Sequence, residues 1–136
     1  MLPGSSKQGL PVAVIGAGPV GLAAAAHLLE RGLTPLVLEA GDGAGASVAS
    51  WGHVQVFSPW KYMVDPAARR LLEPYEWRMP DGEVLPTGAE LVRDYLAPLA
   101  ALPELAPHIR YGHRVSAVAR RGFDKVKSGG RADAPF

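Results

Sequence analysis

Six residues constrain this chain more than any others: Gly16-Ala17-Gly18-Pro19-Val20-Gly21, a G-x-G-x-x-G run between an apolar stretch and a helical pattern. Before it, Val12, Ala13, Val14 and Ile15 form a short apolar run of the kind that makes a parallel strand buried on both faces. From Pro19 onward, Leu22, Ala25, Ala26 and Leu29 follow the i, i+3, i+4, i+7 template of a helix, and Gly32 just beyond Arg31 supplies a stop. Leu36, Val37 and Leu38 make a second apolar run ending in Glu39. Strand, helix and strand in about 30 residues have the size of a βαβ unit, whose crossover is right-handed. Glycine spacing alone is weak in a chain with 16 glycines. The strand before it, the helix after it and the acid at the end of the next strand make it specific.

Each position has a physical task. Gly16 permits the tight turn from strand to helix, and Gly18 lacks the Cβ that would keep a pyrophosphate away from the backbone. Gly21 lets the helix pack close to the sheet. The free N–H groups at the helix start, Val20 and Gly21 among them, point at phosphates, where the helix dipole contributes about 0.3–1 kcal/mol. A Glu39 carboxylate can accept hydrogen bonds from both hydroxyls of an adenosine ribose and repels a 2′-phosphate, which favours FAD or NAD over NADP. The bland alternative is a glycine-rich turn with an incidental exposed glutamate.

Composition narrows the field. At 136 residues one core is expected. The values of 48% hydrophobic and 20% charged residues are ordinary for a water-soluble globular chain. A net charge of +1 without a long basic run argues against nucleic acid. The absence of cysteine excludes a disulfide framework, a thiolate metal site and a Cys-x-x-Cys redox pair within this sequence. Leu10 to Leu29 carries no charged side chain and is long enough to span a bilayer, but Pro11, Gly16, Gly18, Pro19 and Gly21 interrupt it as a turn does. No membrane partner is expected, and the cytoplasm is the default location. His27, His53, His108 and His113 show no metal-ligand spacing, so no metal site is expected.

The chain divides into a flexible N-terminal arm (1–9), a partial Rossmann-like domain (10–121) and a truncated hairpin or disordered tail (122–136). Gly41 to Ser50 reads as a loop leading into an aromatic cluster of Trp51, Phe57, Trp60 and Tyr62, which is expected to supply core area. Asp65-Pro66 is an N-cap and N1 pair for a short helix through Leu72, and Asp81-Gly82 marks a turn. Thr87 and Glu90 form a capping box for a helix from Gly88 towards Leu102, with Leu91, Tyr95 and Leu99 on one face and Pro98 expected to kink or end it. Ile109 to Arg121 reads as one or two strands, and Ser128-Gly129-Gly130-Arg131 as a hairpin turn. Arg69, Arg70 and Arg78 are expected to be solvated rather than phosphate-binding, and His53 is given no role.

Val12 to Glu39, with Gly16, Gly18, Gly21, Ala25 and Glu39 in place, resembles the N-terminal FAD-binding motif of two-dinucleotide-domain flavoproteins. Trp51 to Trp60, the Leu85-Pro86-Thr87-Gly88 lead into a helix containing Tyr95, and Arg114 to Val118 resemble flavin-containing monooxygenase-like proteins. The resemblance implies an α/β fold, a Rossmann-like parallel sheet incomplete at its C-terminus. It implies that Gly16, Gly18, Pro19 and Val20 line the pyrophosphate, with Ala17 and Gly21 completing the loop. Glu39 and Ala40 would meet the ribose, Val115 would lie beside the adenine, and Trp51 would be a candidate wall for the flavin. The cofactor would be FAD, with NAD(P)H as co-substrate at a site outside this chain and a small organic molecule as substrate. Such proteins carry further segments not found here, so the chain reads as an N-terminal fragment of a longer oxidoreductase, inactive alone. No catalytic side chain stands out, because the hard chemistry belongs to the flavin. An NAD-dependent dehydrogenase domain and a non-catalytic nucleotide-binding fragment remain as alternatives.

Overall fold

In the computed structural model, which describes residues 9–127 and 129–136, the βαβ unit is built as its pattern predicts. β1 (Val12–Ile15) is followed by α1 (Pro19–Glu30) and β2 (Pro35–Leu38), and β1 and β2 pair in parallel with Val12 opposite Pro35 and Ile15 opposite Leu38. Leu22, Ala25 and Ala26 are fully buried, so the helical stripe faces the core. Helix α1 ends in a Schellman motif: the Leu33 N–H donates to the Leu28 carbonyl and the Gly32 N–H to that of Leu29, at 2.9 and 3.0 Å. Gly32 adopts φ +69° there, a conformation that glycine enters without a Cβ penalty.

β3 (Ile109–Arg110) adds on the other side of β2, giving a parallel three-stranded sheet in the order β1-β2-β3. β2 is therefore the central strand and Val37 is fully buried. β1 departs from expectation. It is mostly exposed, Val12 at 39% and Ile15 at 59%, because β2 pairs with one of its edges and nothing among the described residues pairs with the other.

The segments between β2 and β3 make the rest of the core. A short helix, α2 (Ala46–Ala49), lies where a loop was expected; Gly45, at φ +67°, starts it and buried Val48 anchors it. α3 (Pro66–Leu72) starts where its N-cap predicts, with the Asp65 carboxylate accepting from the Ala68 N–H at 3.0 Å. The capping box forms: the Glu90 N–H donates to the Thr87 hydroxyl and the Thr87 N–H to the Glu90 carboxylate. Leu91, Tyr95 and Leu99 are buried on one face, as predicted.

Pro98 does not end this helix. α4 (Gly88–Leu91) passes through a π-helical stretch, Val92–Leu96, into α5 (Ala97–Ala100) without a break, and Pro98 lies within α5. The aromatic cluster is also split. Trp60 is buried, Trp51 half-buried, and Phe57 and Tyr62 are 97% and 74% exposed.

The strand expected from Ile109 to Arg121 stops at Arg110. Gly112, at φ +68°, turns the chain, and 113–120 find no partner strand among the described residues, so alternation alone does not make them a strand. The tail is no hairpin ladder among its described residues. Arg131–Asp133 form a 3₁₀ turn, and the Arg121 N–H donates to the Pro135 carbonyl at 2.7 Å. Residues 1–8 of the expected arm and Ser128 of the expected hairpin turn lie outside the described residues. No helix among the described residues is long and apolar enough to cross a membrane.

Candidate functional site

The β1–α1 turn and the end of β2 meet at one place, and each half is shaped by its own residues. Gly16 takes φ +99°, which lets the chain reverse from strand into helix. Its N–H still donates to the Leu38 carbonyl at 2.8 Å, so the turn begins from a paired position. Gly18 is the N-cap of α1, Pro19 takes the position that needs no N–H, and Val20 stands 83% exposed. Helix geometry leaves the Val20 and Gly21 N–H groups without intrahelical partners.

Glycine is required at 21 and spare at 18, for opposite reasons. A Cβ on Gly21 would come within 1.9 Å of the Gly16 carbonyl oxygen, so the helix packs directly on the turn. A Cβ on Gly18 would meet nothing within 4 Å, and the backbone there, at φ −89°, suits any residue. The space over Gly18 is open to a ligand that must touch the backbone.

Glu39 joins the two halves. One carboxylate oxygen, Oε2, accepts the Ala17 N–H at 2.7 Å, and the other, Oε1, accepts the Gly41 N–H at 2.8 Å. The Ala17 carbonyl in turn accepts the Gly45 N–H at 2.8 Å. The chain after β3 closes the flank: the Glu39 N–H donates to the Arg110 carbonyl, the His113 N–H to that of Glu39, and the Gly112 N–H to that of Gly41, each at 2.9 Å. Between these, Tyr111 stands 37% exposed, and its phenol lies above its ordinary value because of burial and the nearby Glu39 charge.

The structure thus brings Gly16, Ala17, Gly18, Pro19, Val20, Gly21 and Glu39 together, with Ala40 exposed beside them. Trp51 packs over Gly88 at the start of α4, where an added Cβ would meet its ring at 2.8 Å. Val115 is half-buried in the irregular segment after β3. His53 is exposed. Arg69 pairs with Glu73 at 2.9 Å, and Arg70 grips Glu30 with two bonds of 2.6 and 3.0 Å.

Gly41, Gly45 and Tyr111 escaped the sequence reading. Gly41 and Gly45 were visible only as small residues in a loop; an added Cβ would meet Ala46 at 2.4 Å at the first and Leu96 at 2.8 Å at the second.

An anion can be held by the N–H groups and positive dipole end of α1 over Gly18, and a polyol by acceptor positions on Glu39. The family model described as FAD dependent oxidoreductase matches residues 11–132. A 45-residue segment is 42% identical to the 15-cis-phytoene desaturase of Narcissus pseudonarcissus, covering 33% of this chain and 8% of that protein. Among solved structures, oxidized steroid monooxygenase bound to NADP is similar with a TM-score of 0.64 and 26% identity over 82% of this chain. OTEMO in complex with FAD and NADP gives 0.63 and 23% over 84% of it, a likeness of fold. The chain spans 21% of the length of each of these two.

Proposed function

The chain belongs to the FAD dependent oxidoreductase family, and from that premise we propose that the β1–α1 turn and the end of β2 hold the ADP half of FAD in an NAD(P)H-linked flavoprotein oxidoreductase, a monooxygenase acting on a small organic substrate. The observation that carries the reading is the open backbone at Gly18 beside a glutamate already fixed at the end of β2. Gly16, Gly18, Pro19 and Val20 line the pyrophosphate, with Ala17 and Gly21 shaping the loop. Glu39 accepts from the ribose hydroxyls beside Ala40, and Val115 flanks the adenine. The residues fit such a group: unpaired helix N–H groups for the phosphates, no Cβ in their path, and an acceptor for a diol. Bound flavin supplies the electron transfer, and this chain's residues bind and orient it. NAD(P)H, the co-substrate, binds at a site outside this chain. The monooxygenase reading is supported by the likeness to steroid monooxygenase.

The test is a titration of the purified protein with ADP, FAD, NAD and NADP, together with its visible spectrum. ADP and FAD should bind, NADP should bind more weakly, and Glu39→Ala should lower affinity about 5- to 150-fold, the loss of hydrogen bonds to a charged acceptor. A protein that binds NAD but not FAD would make this a dehydrogenase domain instead.

A further inference from the structure

We propose that Glu39 is a positioning residue that sets the phosphate-binding loop before any nucleotide arrives, in addition to whatever it does for a ribose. Ala17, the middle residue of Gly16-Ala17-Gly18, is held from both sides. Its N–H donates to Glu39 at 2.7 Å, and its carbonyl accepts from Gly45 at 2.8 Å. Ala17 is itself fully buried. The flanking glycines are the two loop positions with the widest backbone freedom, so without those bonds the turn would sample many conformations. The second carboxylate oxygen is anchored by the Gly41 N–H at 2.8 Å, which fixes the side chain that fixes the loop. One glutamate thereby cross-links the β1–α1 turn to the segment after β2.

The same geometry gives a test in which two readings predict opposite signs. If Glu39 acted on an anion only through its charge, removing that charge would strengthen the binding of a bare anion. If it holds the loop, removing it weakens that binding. Inorganic pyrophosphate is the probe, because it has no ribose. Glu39→Gln keeps the shape but leaves a single acceptor oxygen facing two N–H groups.

In the wild-type protein, the Ala17 and Gly41 amides should already be protected from hydrogen exchange without ligand. In E39Q at least one of them should exchange about ten- to a hundredfold faster, and pyrophosphate should bind about tenfold more weakly. Unaltered amide signals outside the loop show that the fold is kept. If E39Q does not fold, wild-type exchange still decides: unprotected Ala17 and Gly41 amides overturn the proposal. Pyrophosphate binding in E39Q as tight as, or tighter than, in the wild type also overturns it. The inference rests on the nucleotide reading only for the identity of the ligand. Protected amides released in E39Q, in a protein that binds neither ADP nor pyrophosphate, would refute the nucleotide reading and leave the loop-setting role in place.

Discussion

The indole N–H of Trp77 donates to the backbone carbonyl of Asp94 at 2.8 Å, the carbonyl that an α-helical N–H at position 98 would have taken. Residue 98 is proline and has no N–H to give. A side chain 17 residues earlier therefore satisfies the group that the proline leaves free. Trp77 also meets buried Tyr95 with ring centroids 6.2 Å apart.

Trp77→Phe should destabilise the fold by about 1–3 kcal/mol, since it leaves that carbonyl without its donor. Urea denaturation measures it. In a double-mutant cycle with Pro98→Ala, which restores an N–H, the cost of losing the indole should shrink. Equal costs in both backgrounds would mean that the indole bond and the proline are unrelated.

Gly21→Ala should destabilise by about 2–3 kcal/mol, because the new Cβ meets the Gly16 carbonyl oxygen at 1.9 Å and backbone on both sides must shift. Thermal unfolding reads it directly. A variant as stable as the parent would show that the α1–turn contact is looser than described.

Gly18→Val should behave in the opposite way. Its Cβ enters open space on an extended backbone, so stability should stay within about 0.5 kcal/mol of the parent. Nucleotide affinity should fall at least about tenfold, because the branched side chain fills the approach to the backbone. Calorimetry with ADP separates the two effects, and unchanged affinity in the folded variant would remove the loop from the binding site.

Asp65 couples α1 to α3. Its carboxylate caps α3 and meets His27 Nε2 at 2.9 Å, and Arg31, which can only donate, lies 3.3 Å from His27 Nδ1, so the ring proton belongs on Nε2. Burial alone would raise the Asp65 carboxyl, but the Ala68 N–H and His27 outweigh it and hold it below its ordinary value of 3.8. A depressed folded-state pKa contributes stability that is present above the unfolded value and lost as pH falls through the folded one. Stability should therefore drop below about pH 4. Asp65→Asn, which keeps a capping oxygen, should flatten that part of the profile. Thermal midpoints from pH 2 to 7 for both proteins provide the comparison.

The edge of β1 that no described residue pairs with should drive self-association. The Val12 and Gly16 N–H groups face β2, donating to the Thr34 and Leu38 carbonyls, so alternation turns Ala13 and Ile15 towards the unpaired side. An exposed apolar edge is a template for another strand. Ala13→Lys should raise the concentration at which light scattering detects oligomers, and no change would place the association elsewhere.

Much of the helix and strand placement was legible because its signals are local. The strand–helix switch, the Gly32 stop, the Asp65 cap and the Thr87–Glu90 box each involve residues a few positions apart, and each forms as read. The candidate site was half legible. Gly16, Gly18, Gly21 and Glu39 announced themselves by spacing, whereas Gly41, Gly45 and Tyr111 matter through neighbours that spacing does not reveal.

By itself, then, the sequence determined the first strand, helix and second strand, the capped starts of α3 and α4, and where the glycine loop must turn, since backbone sterics, capping and side-chain period act within one or two turns of chain. Only the tertiary structure decided that Glu39 bonds to Ala17 across 22 residues and that Trp77 rescues the carbonyl freed by Pro98. It also decided that Trp51 packs on Gly88 and that 113–120 do not become a strand. A strand is a pairing and a hydrogen bond needs its partner, and the partner is supplied by chain distant in sequence, which no local pattern records.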